Sequence, residues 1–277
     1  MHAPPIPPWK EDWSESRWDA ALNARLESLD FDVIVDTPRP ATENMAIDEA
    51  LLYRVALGIR RPLLRLWDWS EAAVVLGSYQ SVSDEFDAMY AASAGFRFVR
   101  RISGGGAMVV EPGRTITWSL IVPETIVQDL SYVQSFAYLD SWCVRALRAI
   151  GVPASYKPIN DLVSPAGKMA GAAQCRRRGT VLHHAAMAWR LDNTTMRHLL
   201  RHGVPRISTK SIASAEKHVS PLSDFTTLTR ADVMAHLAAS FRAIFRTETS
   251  SITAGDLADA STRRKQLASH EWLYRVP

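Results

Sequence analysis

Two stretches of the chain bring together residue types that packing alone does not explain. In Arg100-Arg101-Ile102-Ser103-Gly104-Gly105-Gly106-Ala107, three consecutive glycines follow two arginines. Glycine loses more backbone entropy on folding than any other residue, so the triplet costs about 1–3 kcal/mol relative to alanines. What glycine offers is backbone that a ligand can approach closely, with amide N–H groups able to converge on an anion. The competing reading is a hairpin tip with two solvated arginines. The run lacks the Lys-Ser/Thr ending of a P-loop and the G-x-G-x-x-G spacing of a dinucleotide site, which excludes both. In Gly167-Lys168-Met169-Ala170-Gly171-Ala172-Ala173-Gln174, a lysine stands among glycine and alanine. Small neighbours leave it room to point into a cleft, and its ammonium suits phosphate or acyl carbonyl oxygens. Alone it reads as a solvated turn lysine. Two small-residue walls and a cation together describe a site for an anionic ligand.

Other candidates surround these two. Asn160-Asp161 precedes the lysine stretch; an aspartate entering a strand holds a divalent metal or a sugar hydroxyl, or caps a turn. His183 and His184 are adjacent on an apolar strand and so face opposite sides, which suits one buried, hydrogen-bonded histidine better than joint metal ligation. Cys175 precedes Arg176-Arg177-Arg178, which would lower its pKa, but no His/Asp arrangement that would make it a nucleophile is legible. The three arginines read as a solvated basic turn, open to an acidic protein partner.

The elements that must position these residues are legible in outline. The chain has 277 residues, 47% of them apolar, enough for one large domain or two small ones. A net charge of +3 is too small to argue for nucleic acid. Two cysteines give no disulfide framework, and no segment approaches the roughly 20 apolar residues of a membrane span. With no secretory signal at the start, the expected location is the cytoplasm, with neither nucleic acid nor membrane as a partner. Residues 1–29 read as an extension, helical from Trp13 to Leu29. A helix follows from Thr42, as its cap, to Leu57, with Met45, Leu51, Leu52 and Val55 inward. Strands are expected at 32–35, 63–67, 73–76, 97–101, 108–110, 115–122, 161–163, 168–175 and 180–191, the glycine run joining strand to strand as a turn. Further helices are expected at 133–150, 194–201 and 230–245, and a tail from Asp256 that is helical, then extended. Mixing without regular alternation predicts an α+β fold with mostly antiparallel mixed sheets flanked by helices.

Taken together, the motifs resemble the lipoate-protein ligase family of the biotin/lipoate ligase superfamily, from about residue 33 to the end. Asn44-Met45-Ala46-Ile47-Asp48-Glu49-Ala50 is similar to its first-helix signature. Trp69 followed by Val74-Val75-Leu76-Gly77-Ser78-Tyr79-Gln80 is similar to its tryptophan and strand-turn. Arg100–Ala107 matches its R-R-x-[ST]-G-G-G-A loop. Asn160-Asp161-Leu162 and Lys168–Ala173 match its N-D and G-K motifs. Leu182-His183-His184, Ser211 to Leu222 and Glu271-Trp272-Leu273-Tyr274 resemble later segments in the family's order.

The resemblance implies a ligase-like catalytic domain over 30–250 and a segment 251–277 packed on it, with no large accessory domain. The implied reaction has two steps: lipoate or octanoate attacks the α-phosphorus of ATP, and a lysine of an acceptor domain then takes the acyl group from the adenylate. The implied catalytic residue is Lys168. The implied binding residues are Trp69, Arg101, Ser103, Gly104, Gly105, Gly106, Ala107, Asn160, Asp161, Gly171, Ala173 and His184. Asp161 would orient Lys168 or hold Mg2+, and Trp69 with 74–76 would line an acyl tunnel. The implied partners are lipoyl domains of 2-oxoacid dehydrogenases or the glycine cleavage H protein, and a separate accessory chain. Departures fall at the nucleotide end, where Val110, Glu111 and Arg114 stand for the family's histidine, aspartate and asparagine, and Ala185-Ala186 for Gly-Thr. The rivals are a related octanoyltransferase, whose cysteine position falls near Pro153 here, and a non-catalytic acyl- or nucleotide-binding relative. A biotin ligase fits less well because its glycine-rich signature differs.

Overall fold

A computed structural model describes residues 20–191, 193–201 and 218–276. In chain order the elements are α1 (Ala20–Glu27), β1 (Asp30–Val35), α2 (Ala41–Ala56), β2 (Leu63–Trp67), β3 (Ala73–Leu76), α3 (Val82–Glu85), α4 (Ala88–Ser93), β4 (Arg97–Arg100), β5 (Met108–Val110) and β6 (Thr115–Pro123). Then come α5 (Tyr132–Ala149), β7 (Ser155–Lys157), β8 (Asp161–Ser164), β9 (Gly167–Arg177), β10 (Thr180–Ala188), α6 (Asn193–Leu199), α7 (Arg230–Ile244), β11 (Arg246–Ser250), α8 (Ala254–Leu267) and α9 (His270–Leu273). Among the described residues, eight strands form one sheet in the order β11-β1-β2-β6-β10-β9-β8-β7, and three form a second in the order β4-β3-β5. Pairing is mostly antiparallel; β1 with β2 and β11, and β3 with β4, are parallel. The chain is α+β, with mixed sheets flanked by helices.

The large sheet is covered on both faces, and the two-residue period of a strand sorts its side chains between them. On β6, Ile116, Trp118, Leu120 and Val122 enter the core shared with α5 and α7. Thr117, Ser119 and Ile121 fall on the opposite side, where α2 packs. The strand is therefore buried over nearly its whole length. The same alternation sends Leu64 and Leu66 of β2 to the first core, while Arg65 and Trp67 join the α2 side. On α2 the apolar Met45, Leu51, Leu52 and Val55 are buried as expected, and α8 lies along the helix.

Several expectations need correction. The glycine run does not close a hairpin: β4 and β5 lie on opposite sides of β3, so residues 101–107 cross over the end of that strand. Thr42 does not cap α2; Pro40 holds the cap position, without a side-chain hydrogen bond, and Thr42 lies in the first turn. After α8 the chain turns into α9 rather than extending. The strand β11 escaped notice because Arg-Thr-Glu-Thr-Ser has no apolar face; it pairs with β1 at the sheet edge. Of the N-terminal helix only α1 is described; its Leu22 and Leu26 pack on the main core, and Trp9, Trp13 and Trp18 lie outside the described residues. Most of the segment from Ser211 to Leu222 is also outside them. No helix among the described residues is long and apolar enough to cross a membrane.

Candidate active site

The glycine loop is held from below by Arg101. Its Nε donates to Ser103 Oγ at 3.1 Å and its Nη1 to Val75 O at 3.1 Å. Its Nη2 donates to Gly104 O at 2.6 Å and Gly106 O at 2.9 Å. With these carbonyls turned inward, the Gly104, Gly105 and Gly106 amides have no acceptor among the described residues. They stay free for a ligand. Gly105 has φ +89°, and a Cβ on Gly77 would stand 2.0 Å from Gly105 O, so both glycines are required by backbone conformation or close approach. Arg101 is thus the loop's fastener rather than an open phosphate clamp; burial pulls its pKa down to about 10. Arg100 is buried beside it and donates to Gly77 O at 2.9 Å and Leu273 O at 2.6 Å, tying the loop's approach to α9.

Lys168 stands at the start of β9 and shares a cavity wall with Ala107, the last residue of this loop. Its Nζ lies 2.8 Å from Asp161 Oδ1 on β8, where the β8–β9 register shifts. Gly171 makes this possible, since a Cβ there would sit 2.7 Å from the ammonium nitrogen. The segment 218–220 pairs along Lys168, donating and accepting main-chain bonds at 2.8 and 2.9 Å. Asn160 is locked to Ala172 by a main-chain bond at 2.8 Å and by its amide. Asp161, expected to orient the lysine or hold magnesium, pairs with the lysine. Among the described residues no group of three His, Cys, Asp or Glu side chains is placed to hold a metal.

Two spaces meet along this wall, with Met108 lining both. One is a wide cavity bordered by Ala107, Lys168, Gly171, Ala186 and the two arginines Arg114 and Arg190. Its empty space is about 830 Å³ with the open mouth included. The other is a narrow, nearly apolar slot walled by Trp67, Trp69, Val75, Ala173 and His184. The indole N–H groups of Trp67 and Trp69 donate to Ser119 Oγ and Thr117 Oγ1, each at 2.9 Å, so neither is left unpaired. A recess on the far side of the glycine loop is bordered by Gly104, Gly105, Asn160 and Arg176.

The structure thus gathers Trp69, Arg101, Ala173 and His184 around the slot, and Ala107, Lys168 and Gly171 around the cavity. Ser103 lies buried between Arg101 and His184. His183 and His184 face opposite sides as expected, and both are buried and hydrogen-bonded. His183 reaches Asp140 at 2.7 Å, and His184 reaches Asp48 at 3.0 Å. Cys175 reverses the expectation: burial raises its thiol pKa to about 12, outweighing Arg177. Of the three arginines only Arg178 stands in an exposed turn; Arg176 and Arg177 end β9 and are partly buried. Arg176 stacks on Tyr132 and donates to Ser135 Oγ, Arg177 pairs with Glu49, and Arg178 lies over Tyr53. Sequence reasoning missed Asp48, Arg190 and Thr117 as site residues. The available signal for Asp48 was its i,i+4 spacing from Asn44 on an otherwise apolar helix face.

Residues 40–242 match the family model of the lipoyl protein ligase A/B catalytic domain. The chain belongs to this family. The octanoyltransferase LipM of Kyrpidia tusciae is 28% identical over 265 residues, covering 85% of this chain and 95% of that protein. A bipartite lipoate protein ligase from Thermoplasma acidophilum, solved as a lipoylation system with its E2 lipoyl domain, superposes with a TM-score of 0.76. It covers 90% of this chain and 98% of its own, at 22% identity. A lipoate-protein ligase A bound with ATP gives 0.74 at 22% identity, over 90% of this chain and all of that one. At such identities the two structures establish the shared fold. The chain is an enzyme of the lipoate ligase and acyl transferase family.

Proposed function

We propose that this lipoyl ligase family member acylates a lysine of lipoyl acceptor domains by way of an acyl-adenylate. The observation that carries the reading is the meeting of an apolar slot with a cation-bordered cavity, which the end of the glycine loop borders at Ala107 and which Lys168 lines with its ammonium pinned on Asp161. The slot takes the hydrocarbon chain of lipoate or octanoate, and the cavity takes the nucleotide. In the first step a carboxylate oxygen attacks the α-phosphorus of ATP and the bond to pyrophosphate breaks. In the second the acceptor ε-amine attacks the acyl carbon, the C–O bond to AMP breaks, and the amine loses a proton. Negative charge gathers on phosphoryl and then acyl oxygens. Pre-placed amides and the Lys168 ammonium stabilise it without reorganisation, a contribution typically worth about 10²-fold or more in rate. Arg190 adds positive charge at the nucleotide end, where Ala186 supplies none and Arg114 is paired with Glu111 at 3.7 Å. Magnesium would enter with the nucleotide, held by its phosphates, since the described residues hold no cluster of three ligands for it.

A second reading is octanoyl transfer from a carrier protein, favoured by the name of the K. tusciae relative, which the match covers almost completely. A thioester route needs an available thiolate. Burial holds Cys175 at about 12 and pushes Cys143 well above the ordinary range, which supports the adenylate route. The deciding experiment is mass spectrometry of a purified lipoyl domain or H protein incubated with this enzyme. A lipoyl gain that requires ATP supports the ligase. A gain only from octanoyl carrier protein moves the assignment to the transferase, and a gain only on adding a second chain reveals an accessory partner. No gain under any condition refutes lysine acylation. The cytoplasmic setting follows from that reading.

A further inference from the structure

Beneath the glycine loop three buried side chains form one hydrogen-bonded chain. Asp48 Oδ2, on α2, lies 3.0 Å from His184 Nδ1 on β10, and His184 Nε2 lies 2.6 Å from Ser103 Oγ in the loop. The carboxylate is itself fixed: Arg65 Nη1 reaches Oδ1 at 2.9 Å and Ser119 Oγ donates to Oδ2 at 2.7 Å. An ionised carboxylate only accepts, so Nδ1 carries the imidazole proton and Nε2 accepts from the Ser103 hydroxyl. Ser103 Oγ in turn accepts from Arg101, and the Ser103 carbonyl accepts from Ser78 N at 2.8 Å. The head of the glycine loop is held from three directions.

Resting on the lysine-acylation reading, we infer that Asp48 and His184 are positioning residues: they hold Ser103, and with it the Gly104–Gly106 amides, in register with the acyl slot. His184 lines that slot, so one imidazole both shapes the acyl site and braces the anion loop. The order Asp-His-Ser invites a nucleophilic reading. Ser103, however, is fully buried, with its Oγ enclosed between Arg101 and His184, which makes it a brace.

The chain also has a pH consequence. The groups facing His184 are Asp48 from α2, with Arg65 behind it, and Arg101 and Ser103 from the loop; His183 precedes it on the strand. Burial lowers the pKa of His184 and outweighs Asp48, with Arg101 and His183 adding in the same direction, so the imidazole is neutral at physiological pH. Protonating Nε2 turns it into a donor, removes the acceptor of the Ser103 hydroxyl and sets a cation beside Arg101. The brace breaks on acidification.

The test measures acylation with the donor the wild type uses, for Asp48→Asn, His184→Gln, Ser103→Ala and the double variant Asp48→Asn/Ser103→Ala. Each single change is expected to lower kcat about 10–100-fold with little change in KM for the acceptor, the scale of a site displaced by about 1 Å. The double variant should lose no more than the worse single one, since both act on one chain. The acid limb of the wild-type rate should flatten in Ser103→Ala. Additive losses, a near-wild-type Ser103→Ala, or acylated Ser103 in a mass spectrum would overturn the brace. If Asp48→Asn fails to fold because Arg65 loses one of its two carboxylates, His184→Gln with Ser103→Ala forms the same cycle. Imidazole 15N NMR gives a readout independent of activity. His184 as the Nδ1–H tautomer is expected, and the Nε2–H tautomer refutes the inference even if the wild type acylates no lysine.

Discussion

Gly171→Ala is the sharpest probe of the Lys168 site, because it adds one methyl group at a place where the structure says what must move. The new Cβ would lie 2.7 Å from Lys168 Nζ and 3.0 Å from its Cε, against 3.4–4 Å for ordinary contact. The ammonium must therefore retreat by about 0.7 Å, away from its 2.8 Å pairing with Asp161 Oδ1. Only the end of a flexible side chain is in the way, so the fold bears little of the cost: an off-rotamer χ angle is worth about 0.5–1.5 kcal/mol. The chemistry bears more, since a displacement near 1 Å of a catalytic group costs about 10²-fold. Lysine acylation should then fall about 10–100-fold while the melting temperature drops by only a few degrees, about 2–4 °C per kcal/mol in a chain of this size. Lys168→Ala should abolish acylation in a folded protein, setting the floor for comparison. Rates are read by mass spectrometry of the acceptor domain and folding by circular dichroism. A Gly171→Ala enzyme with near-wild-type rate, or a Lys168→Ala enzyme that still acylates, would refute the placement of the ammonium at the reacting oxygens.

Gly77→Ala meets backbone instead of a flexible tip, with its Cβ 2.0 Å from Gly105 O, so it should both destabilise, by about 1–3 kcal/mol in a thermal melt, and cripple acylation. Arg101→Lys keeps a charge but cannot reach Ser103, Val75, Gly104 and Gly106 at once; a melt should show a loss of about 2 kcal/mol or more, and a stability equal to wild type would sink the fastener role. Cys175→Ala should retain acylation, and native Cys175 should resist iodoacetamide at pH 8, because burial holds its pKa near 12; rapid alkylation with loss of activity would restore the thioester route. Burial raises the Asp36 carboxyl, but hydrogen bonds and charge from Arg39 and Arg65 outweigh it and leave its pKa below the ordinary 3.8. A depressed carboxyl pKa gives stability that is present above the unfolded value and lost as pH falls through the folded one. The melting temperature should therefore drop steeply below about pH 4, and less steeply in Asp36→Asn.

The sequence disclosed most elements because local rules and tertiary packing agree in them. The Ser131 and Thr229 capping boxes begin α5 and α7 close to the expected positions, and the 3.6-residue spacing on α2 matches its burial. Where they disagree, the reading failed for definite reasons. β11 has no hydrophobic pattern, because pairing with β1 at the sheet edge, rather than burial, makes it a strand. The glycine run looked like a hairpin turn because proximity in sequence is the only evidence a sequence gives for pairing. The intervening β3 arrives from earlier in the chain. The three arginines looked solvated because their partners Glu49, Tyr53 and Tyr132 come from two distant helices.

The same distinction separates the parts of the site that were legible from those that were not. Glycine 104–106, Lys168 and Gly171 announce themselves, since such residues are costly or conspicuous wherever they fall. Asp48, Arg65 and Thr117 do not, because an aspartate, an arginine or a threonine in an apolar stretch has many innocent uses. What gives them a role is the strand period: alternation puts Arg65 on β2, Thr117 and Ser119 on β6, and His184 on β10 all on the α2 side of the sheet. A polar layer thus runs beneath the slot, with its hydrogen bonds directed among its own members and to the indoles of Trp67 and Trp69. Leaving one member unpaired costs about 1–3 kcal/mol, so the layer holds its shape as a unit. The position of the loop above it follows from this layer, which reaches the loop through the Asp48–His184–Ser103 contacts.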